Sequence, residues 1–155
     1  MKISEILTQD MVVPALAGRD KEGVVREMAA HLCQHHNALG VGEDAVVKAL
    51  LERERLGSTG VGEGVAIPHA KIPGLSSLVA AFGRVPHGVP FDAIDQQPVK
   101  LVCVLLVPEN SAGAHLKALA RISRLLKHGG FRAQLLELPN GEAIFRAFLE
   151  EDAKY

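Results

Sequence analysis

The seven residues that follow Lys100, Leu101 to Val107 (LVCVLLV), are all apolar, and they constrain this chain more than any other stretch. A strand with one face in water alternates apolar and polar residues. One that is apolar at every position must be covered on both faces. Lys100–Val107 is therefore expected to be the central strand of a sheet. Helical patterns lie on both sides of it in the sequence, so the expected class is α/β, a sheet sandwiched between helices. With 155 residues the chain has the length of one domain, 1–155.

Around that strand the chain divides as follows. Ile3 to Leu7 fits a short helical turn, and Met11 to Leu16, which contains Pro14, a brief extended piece. Asp20 is a good N-cap, and Val24, Val25, Met28, Ala29 and Leu32 recur at helical spacing, predicting a helix from Lys21 to His36 that stops across Asn37–Gly40. After Gly42 a second helix carries Val46, Val47, Leu50 and Leu51 on one face and ends at Gly57. Val65–Ile67 and Leu78–Val85 read as strands, and Pro86 to Pro98 as a turn-rich connector. A helix capped near Ser111 runs to Lys127, with Leu116, Leu119, Ala120, Ser123 and Leu126 inward, and Gly129-Gly130 closes it. Phe131–Leu138 fits a short helix. Asn140 caps a last one, whose buried stripe is Ile144, Phe145, Phe148 and Leu149.

Chemistry concentrates between Arg53 and Lys71 (RERLGSTGVGEGVAIPHAK). Gly57, Gly60, Gly62 and Gly64 allow positive φ and close backbone approach, and they expose N–H groups suited to an anion. The spacing lacks both the Gly-Lys-Ser/Thr ending of a P-loop and the G-x-G-x-x-G pattern, so a nucleotide site is disfavoured. A plain glycine-rich hairpin is the competing reading. His69, behind Pro68, is the obvious reactive side chain at the end of the Val65–Ile67 strand. An imidazole, with an ordinary pKa of about 6.5, offers a ring lone pair at neutral pH once the other nitrogen is tied by a hydrogen bond. Such a nitrogen accepts a phosphoryl group, whose transfer needs positioned donors and a cation.

Arg53 is the best candidate cation, one turn beyond Leu50 and just before the loop. A solvated arginine at a helix C-terminus, where positive charge is favoured, explains it equally well. Glu54 projects onto the apolar face and needs a buried partner, an arginine or backbone N–H groups. His115 falls in the first turn of the helix after the central strand, where open α/β sheets gather their sites, although from position alone a surface histidine is the simpler reading. His31 and His35 have a metal-clamping spacing with no third ligand in view, and no metal or other cofactor is expected.

Composition narrows the partners. The formal net charge is −1 and there is no basic run, which argues against nucleic acid. No apolar run approaches the ~18 residues of a membrane span, and MKISEILTQD has no signal-peptide pattern. The two cysteines, Cys33 and Cys103, sit in separate apolar patterns and read as buried free thiols. No membrane insertion and a cytoplasmic location are expected.

The segment Arg53–Lys71, together with FDAIDQQPV (Phe91–Val99), LLVP (Leu105–Pro108) and His115-Leu116, resembles the enzyme IIA domains of the bacterial phosphoenolpyruvate-dependent phosphotransferase system, fructose/mannitol class. The resemblance covers most of the chain and is strongest to the free-standing nitrogen-regulatory branch. It implies a mixed β-sheet flanked by helices on both sides. It implies that His69 is transiently phosphorylated by a histidine phosphocarrier similar to HPr, with Arg53 and His115 holding and neutralising the phosphoryl group. Ser58, Thr59 and Gly60 are the loop residues expected to bind it. Partners implied downstream are potassium-transport and sensor-kinase proteins. A sugar-specific enzyme IIA passing phosphate to a IIB domain is the nearest rival. A small hydrolase with His69 as general base and Ser58 or Thr59 as nucleophile is the rival from another class.

Overall fold

The computed structural model describes residues 1–36 and 39–155, so the stop signal expected at Asn37–Gly40 lies partly outside the described residues. In chain order the elements are two 3-10 turns (Ile3–Glu5 and Gln9–Met11), β1 (Val12–Val13), α1 (Lys21–His35), α2 (Glu43–Leu56), β2 (Gly60–Gly62), β3 (Val65–Ala66), β4 (His69–Ile72), β5 (Val79–Val89), β6 (Val99–Pro108), α3 (Ala112–Lys127), α4 (Gly129–Glu137) and α5 (Gly141–Asp152).

The apolar run is the centre of a mixed sheet. Strand order is β1-β5-β6-β3-β2, with β4 also on β6. β6 pairs antiparallel with β5 on one side and, on the other, parallel with β3 and then β4. Every residue from Leu101 to Val107 is buried. One helical layer is α1 with α2, packed together and against β5 and β4; the other is α3, α4 and α5, packed mutually with α3 and α4 on β6. A Cβ at Gly83 of β5 would stand 2.5 Å from Leu16 Cδ1 and 2.7 Å from Met28 Sδ, so any larger residue there would have to push both side chains aside. On the opposite layer, Phe148 meets Phe82 and Phe131 edge-on, with centroids 4.9 and 5.2 Å away.

Caps fall where side-chain chemistry places them. Asp20 accepts from the Gly23 N–H at 2.7 Å and Asn140 from the Ala143 N–H at 2.8 Å. Other expectations are corrected. Helix α3 buries Ala118, Ile122, Leu125 and Leu126, whereas Leu116 is 68% exposed and Ala120 and Ser123 face out. Both residue sets repeat at helical spacing, so periodicity does not choose between the two phases. Gly129 and Gly130 open α4 instead of serving as the closing cap of α3, and Arg132 donates to the Leu126 and Lys127 carbonyls at the end of α3. β5 runs four residues past Val85, to Val89, into the segment expected as connector. Leu51, Phe145 and Cys33 are only partly buried and Leu149 is exposed, whereas Cys103 is fully enclosed, which pushes its thiol up to about 12.

Candidate functional site

Three elements converge on the site: the end of α2, the start of β4 and the first turn of α3. Helix α2 stops at Leu56, the Gly57 N–H bonding back to the Glu54 carbonyl at 3.1 Å. Arg53, in that last turn, donates from Nη1 to the Gly57 carbonyl at 2.8 Å. Glu54 points the other way and is buried. It accepts from the Thr59 N–H at 3.2 Å and from the Thr59 hydroxyl, and it pairs with Lys21 Nζ at 3.0 Å. The partner it needed is thus a backbone N–H together with a lysine of α1, not an arginine.

The loop after α2 spends its polar groups internally. Ser58 Oγ donates to the Phe91 carbonyl and accepts from the Gly60 N–H at 3.0 Å, while the Thr59 carbonyl accepts from the Ile67 N–H at 3.0 Å. A Cβ on Gly60 would stand 2.9 Å from Ala93 Cα, so this glycine serves close packing. Ser58, Thr59 and Gly60, expected as phosphoryl ligands, therefore lie in the scaffold that fixes the hairpin β2–β3 to α2. A hydrolase using either hydroxyl as nucleophile finds both already engaged.

Pro68 divides what would be one strand along β6. Val65 and Ala66 pair with Leu101 and Val102; His69 to Ile72 pair with Leu105 to Pro108. Proline has no N–H to give the ladder, but its carbonyl still accepts from Leu105 N at 2.9 Å. His69 consequently opens β4 and does not end β3. Along β4, Ala70 and Ile72 turn into the core while His69 and Lys71 share the outer face.

His69 Nδ1 lies 2.8 Å from the Ile67 carbonyl. A carbonyl only accepts, so Nδ1 carries the hydrogen, and in the neutral ring the lone pair is on Nε2. The His115 ring stands with its centroid 5.5 Å away, tilted by 59°. His115 Nε2 is buried with no hydrogen-bond partner among the described residues. Burial first, then the neighbouring His69 and Lys71, hold the His115 imidazole below its ordinary pKa, which favours its neutral form.

These groups line an open cleft of about 520 Å³ with Ala49, Glu52 and Leu56 of α2. The structure brings together Arg53, His69 and His115 as expected, and adds Lys71 and the 85% exposed Leu56. Lys71 was findable: it stands two residues from His69, the period of a strand. Among the described residues no carboxylate lies within ion-pair distance of Arg53 or Lys71. The cleft so gathers two imidazoles and two cations that form no ion pair among the described residues, with the Glu52 carboxylate also in its lining. His31 and His35 do not join it. Their rings stack at 4.0 Å and bond the Asp10 and His31 carbonyls at 2.6 and 3.0 Å.

Residues 5–151 match the family described as phosphoenolpyruvate-dependent sugar phosphotransferase system, EIIA 2. The chain belongs to this family. Among EIIA-related sequences, it is 40% identical over 145 residues to a nitrogen regulatory protein of Bradyrhizobium diazoefficiens, covering 94% of this chain and 93% of that one. It is 38% identical over 154 residues to the fructose-specific EIIABC component of Bacillus subtilis, covering 98% of this chain and 24% of that longer protein. Its fold superposes on the crystal structure of nitrogen regulatory protein IIA-Ntr from Neisseria meningitidis with a TM-score of 0.87 at 34% identity, over 94% of this chain and 98% of that one. Among the described residues of this EIIA domain no helix is long and apolar enough to cross a membrane.

Proposed function

We propose that this EIIA domain is a phosphocarrier that takes a phosphoryl group onto His69 Nε2 from an HPr-like protein and regulates partner proteins by its phosphorylation state. The observation that carries the reading is the Nδ1 bond of His69 to the Ile67 carbonyl, which leaves Nε2 as the free nucleophile in a cleft with unpaired cations. In the transfer the P–N bond of the carrier's phosphohistidine breaks as the bond to Nε2 forms, and the hydrogen on Nδ1 stays in place. Arg53 and Lys71 offset the charge on the oxygens. The neutral His115, its Nε2 without a partner, supplies a hydrogen bond that tightens as charge builds beside it.

The protein-facing rim suits docking. Leu56 and Leu116, exposed apolar residues adjoining Arg53 and His115, give a partner surface to cover. Phosphorylation adds about −1.5 to −2 charges at this one point, enough to recruit or repel a partner such as a potassium-transport or sensor-kinase protein. The reading places the chain in the cytoplasm. The fructose-specific relative supports a second reading, delivery of phosphate to a IIB domain for sugar uptake.

The test supplies phosphoenolpyruvate, enzyme I and an HPr-like carrier and follows acid-labile label. Label is expected on wild type and absent from His69→Ala; label persisting in that variant overturns the assignment. Rapid loss of label to an added fructose or mannitol IIB domain favours the sugar reading over the regulatory one.

A further inference from the structure

A second cleft reaches Ile67, two residues before His69. It has a volume of about 390 Å³, within the range of small-molecule sites, and it opens between the hairpin β2–β3 and the helices α3 and α4. Val61, Val65, Ile67 and Leu126 form its apolar wall; Ser123, Lys127, Arg132 and Glu63 bring the polar groups. Apart from the Ile67 carbonyl, nothing in the phosphoryl-transfer reading uses these residues.

The charges in it are unevenly engaged. Arg132 spends Nη1 on the carbonyls of Leu126 and Lys127, at 3.0 and 2.6 Å, which fixes the guanidinium as a rigid wall of the cleft. Its Nη2 meets only a long pair, to Glu63 at 3.6 Å, and the Glu63 side chain is 77% exposed. Glu63 holds that position on a left-handed backbone, φ 58°, with its N–H bonded to Asp95 Oδ2 at 2.9 Å. Lys127 has no ion-pair partner among the described residues. Two cations against one weakly held carboxylate, over an apolar wall, select a ligand with a negative head and an apolar body. A carboxylate is favoured because Arg132 Nη2 already faces one, that of Glu63, whose place the ligand takes.

Ile67 joins this cleft to the other. Its side chain lines the apolar wall, while its carbonyl is the acceptor that fixes the His69 tautomer. We propose that the β2–β3/α3/α4 cleft is an effector site for a small carboxylate with an apolar body, and that its occupancy is felt at His69 through Ile67. The binding half stands by itself; the regulatory half rests on the phosphocarrier reading of His69.

Phenylacetate and its neutral isostere phenylacetamide are the probes, titrated into the unphosphorylated chain while backbone amides and imidazole nitrogens are followed by NMR. Phenylacetate is expected to shift Gly62, Val65 and Ile67 saturably, with the amide about tenfold weaker or worse. Ser123→Phe, which fills the cleft from an exposed helix position, is expected to abolish the shifts. Lys127→Gln is expected to weaken binding about fivefold and Glu63→Gln to strengthen it by a similar factor. Equal binding of the amide, no saturable shift at millimolar acid, or unchanged binding in both Ser123→Phe and Lys127→Gln overturns the site. Movement of the His69 ring nitrogens with the same saturation curve supports the coupling, and fixed ring nitrogens at saturation overturn it. A chain that binds phenylacetate yet never takes label from the phosphocarrier overturns the proposed function alone.

Discussion

Arg53 in the cleft and Arg121 on the far helical layer are both half-enclosed arginines, and they are treated oppositely. Arg121 bonds Asp152 through Nε to the carboxylate and through Nη2 to the carbonyl at 3.0 Å, while the second Asp152 oxygen takes the Ile3 N–H at 2.8 Å. That clasp ties α3, α5 and the N-terminal turn together with every charge answered. Arg84, like Arg53, has no acid among the described residues, but its guanidinium is filled by the carbonyls of Pro14, Leu135 and Leu138. Arg53 has one backbone bond and no acid, and Lys71 stands unpaired beside it. On the proposed reading, the cations left open beside His69 are where the phosphoryl oxygens arrive.

That contrast can be broken experimentally, beginning with its largest consequence. His69→Ala should lose all phosphoryl label while unfolding at the wild-type denaturant midpoint. Arg121→Met strands the buried Asp152 carboxylate and should cost about 3–5 kcal/mol in urea unfolding, with phosphorylation at low temperature intact. Arg53→Ala should do the reverse, slowing transfer about 10- to 100-fold in rapid-quench kinetics. Its stability should stay within about 0.5 kcal/mol of wild type. A stability loss like that of Arg121→Met would erase the distinction between the two arginines.

The pH dependence sharpens it further. Folding lowers the His115 pKa, so between its folded value and about 6.5 the unfolded state binds more protons. This group's contribution to stability is therefore full above about pH 6.5 and is lost as pH falls through that window. An NMR titration should place the His115 midpoint below about 6.5. Lys71→Gln, the smallest of these changes, removes one of the charges pressing on it and should move the midpoint upward. An unmoved midpoint would separate Lys71 from the site.

Much of this was legible in the residues. The uninterrupted apolar run dictated a strand covered on both faces, and Asp20 and Asn140 announced helix starts because a short acceptor side chain has one good use there. Arg53 and Glu54, adjacent on a helix, necessarily face apart, so one had to be buried and answered. What stayed hidden was set by tertiary context. The phase of α3 depended on which of two equally periodic stripes met the sheet, and Leu116 went outward beside the cleft. Ser58, Thr59 and Gly60 looked like anion donors because sequence shows that donors exist, not that Glu54 and Phe91 already hold them. The β4 strand escaped notice because Pro68 reads as a terminator, whereas here it loses one ladder donor and the alternation resumes at once.

The anchoring of Pro68 and His69 along β6 has a consequence for signalling. With the Pro68 carbonyl held by Leu105 and His69 registered to that same residue, the His69 backbone is anchored to the central strand β6. On the proposed reading, a partner senses an electric field switched on at a fixed point, since little backbone is free to rearrange. Such a field fades over about 8 Å at physiological ionic strength. Discrimination between the two forms is then confined to surfaces that touch the cleft rim, and it should weaken steadily as salt is added.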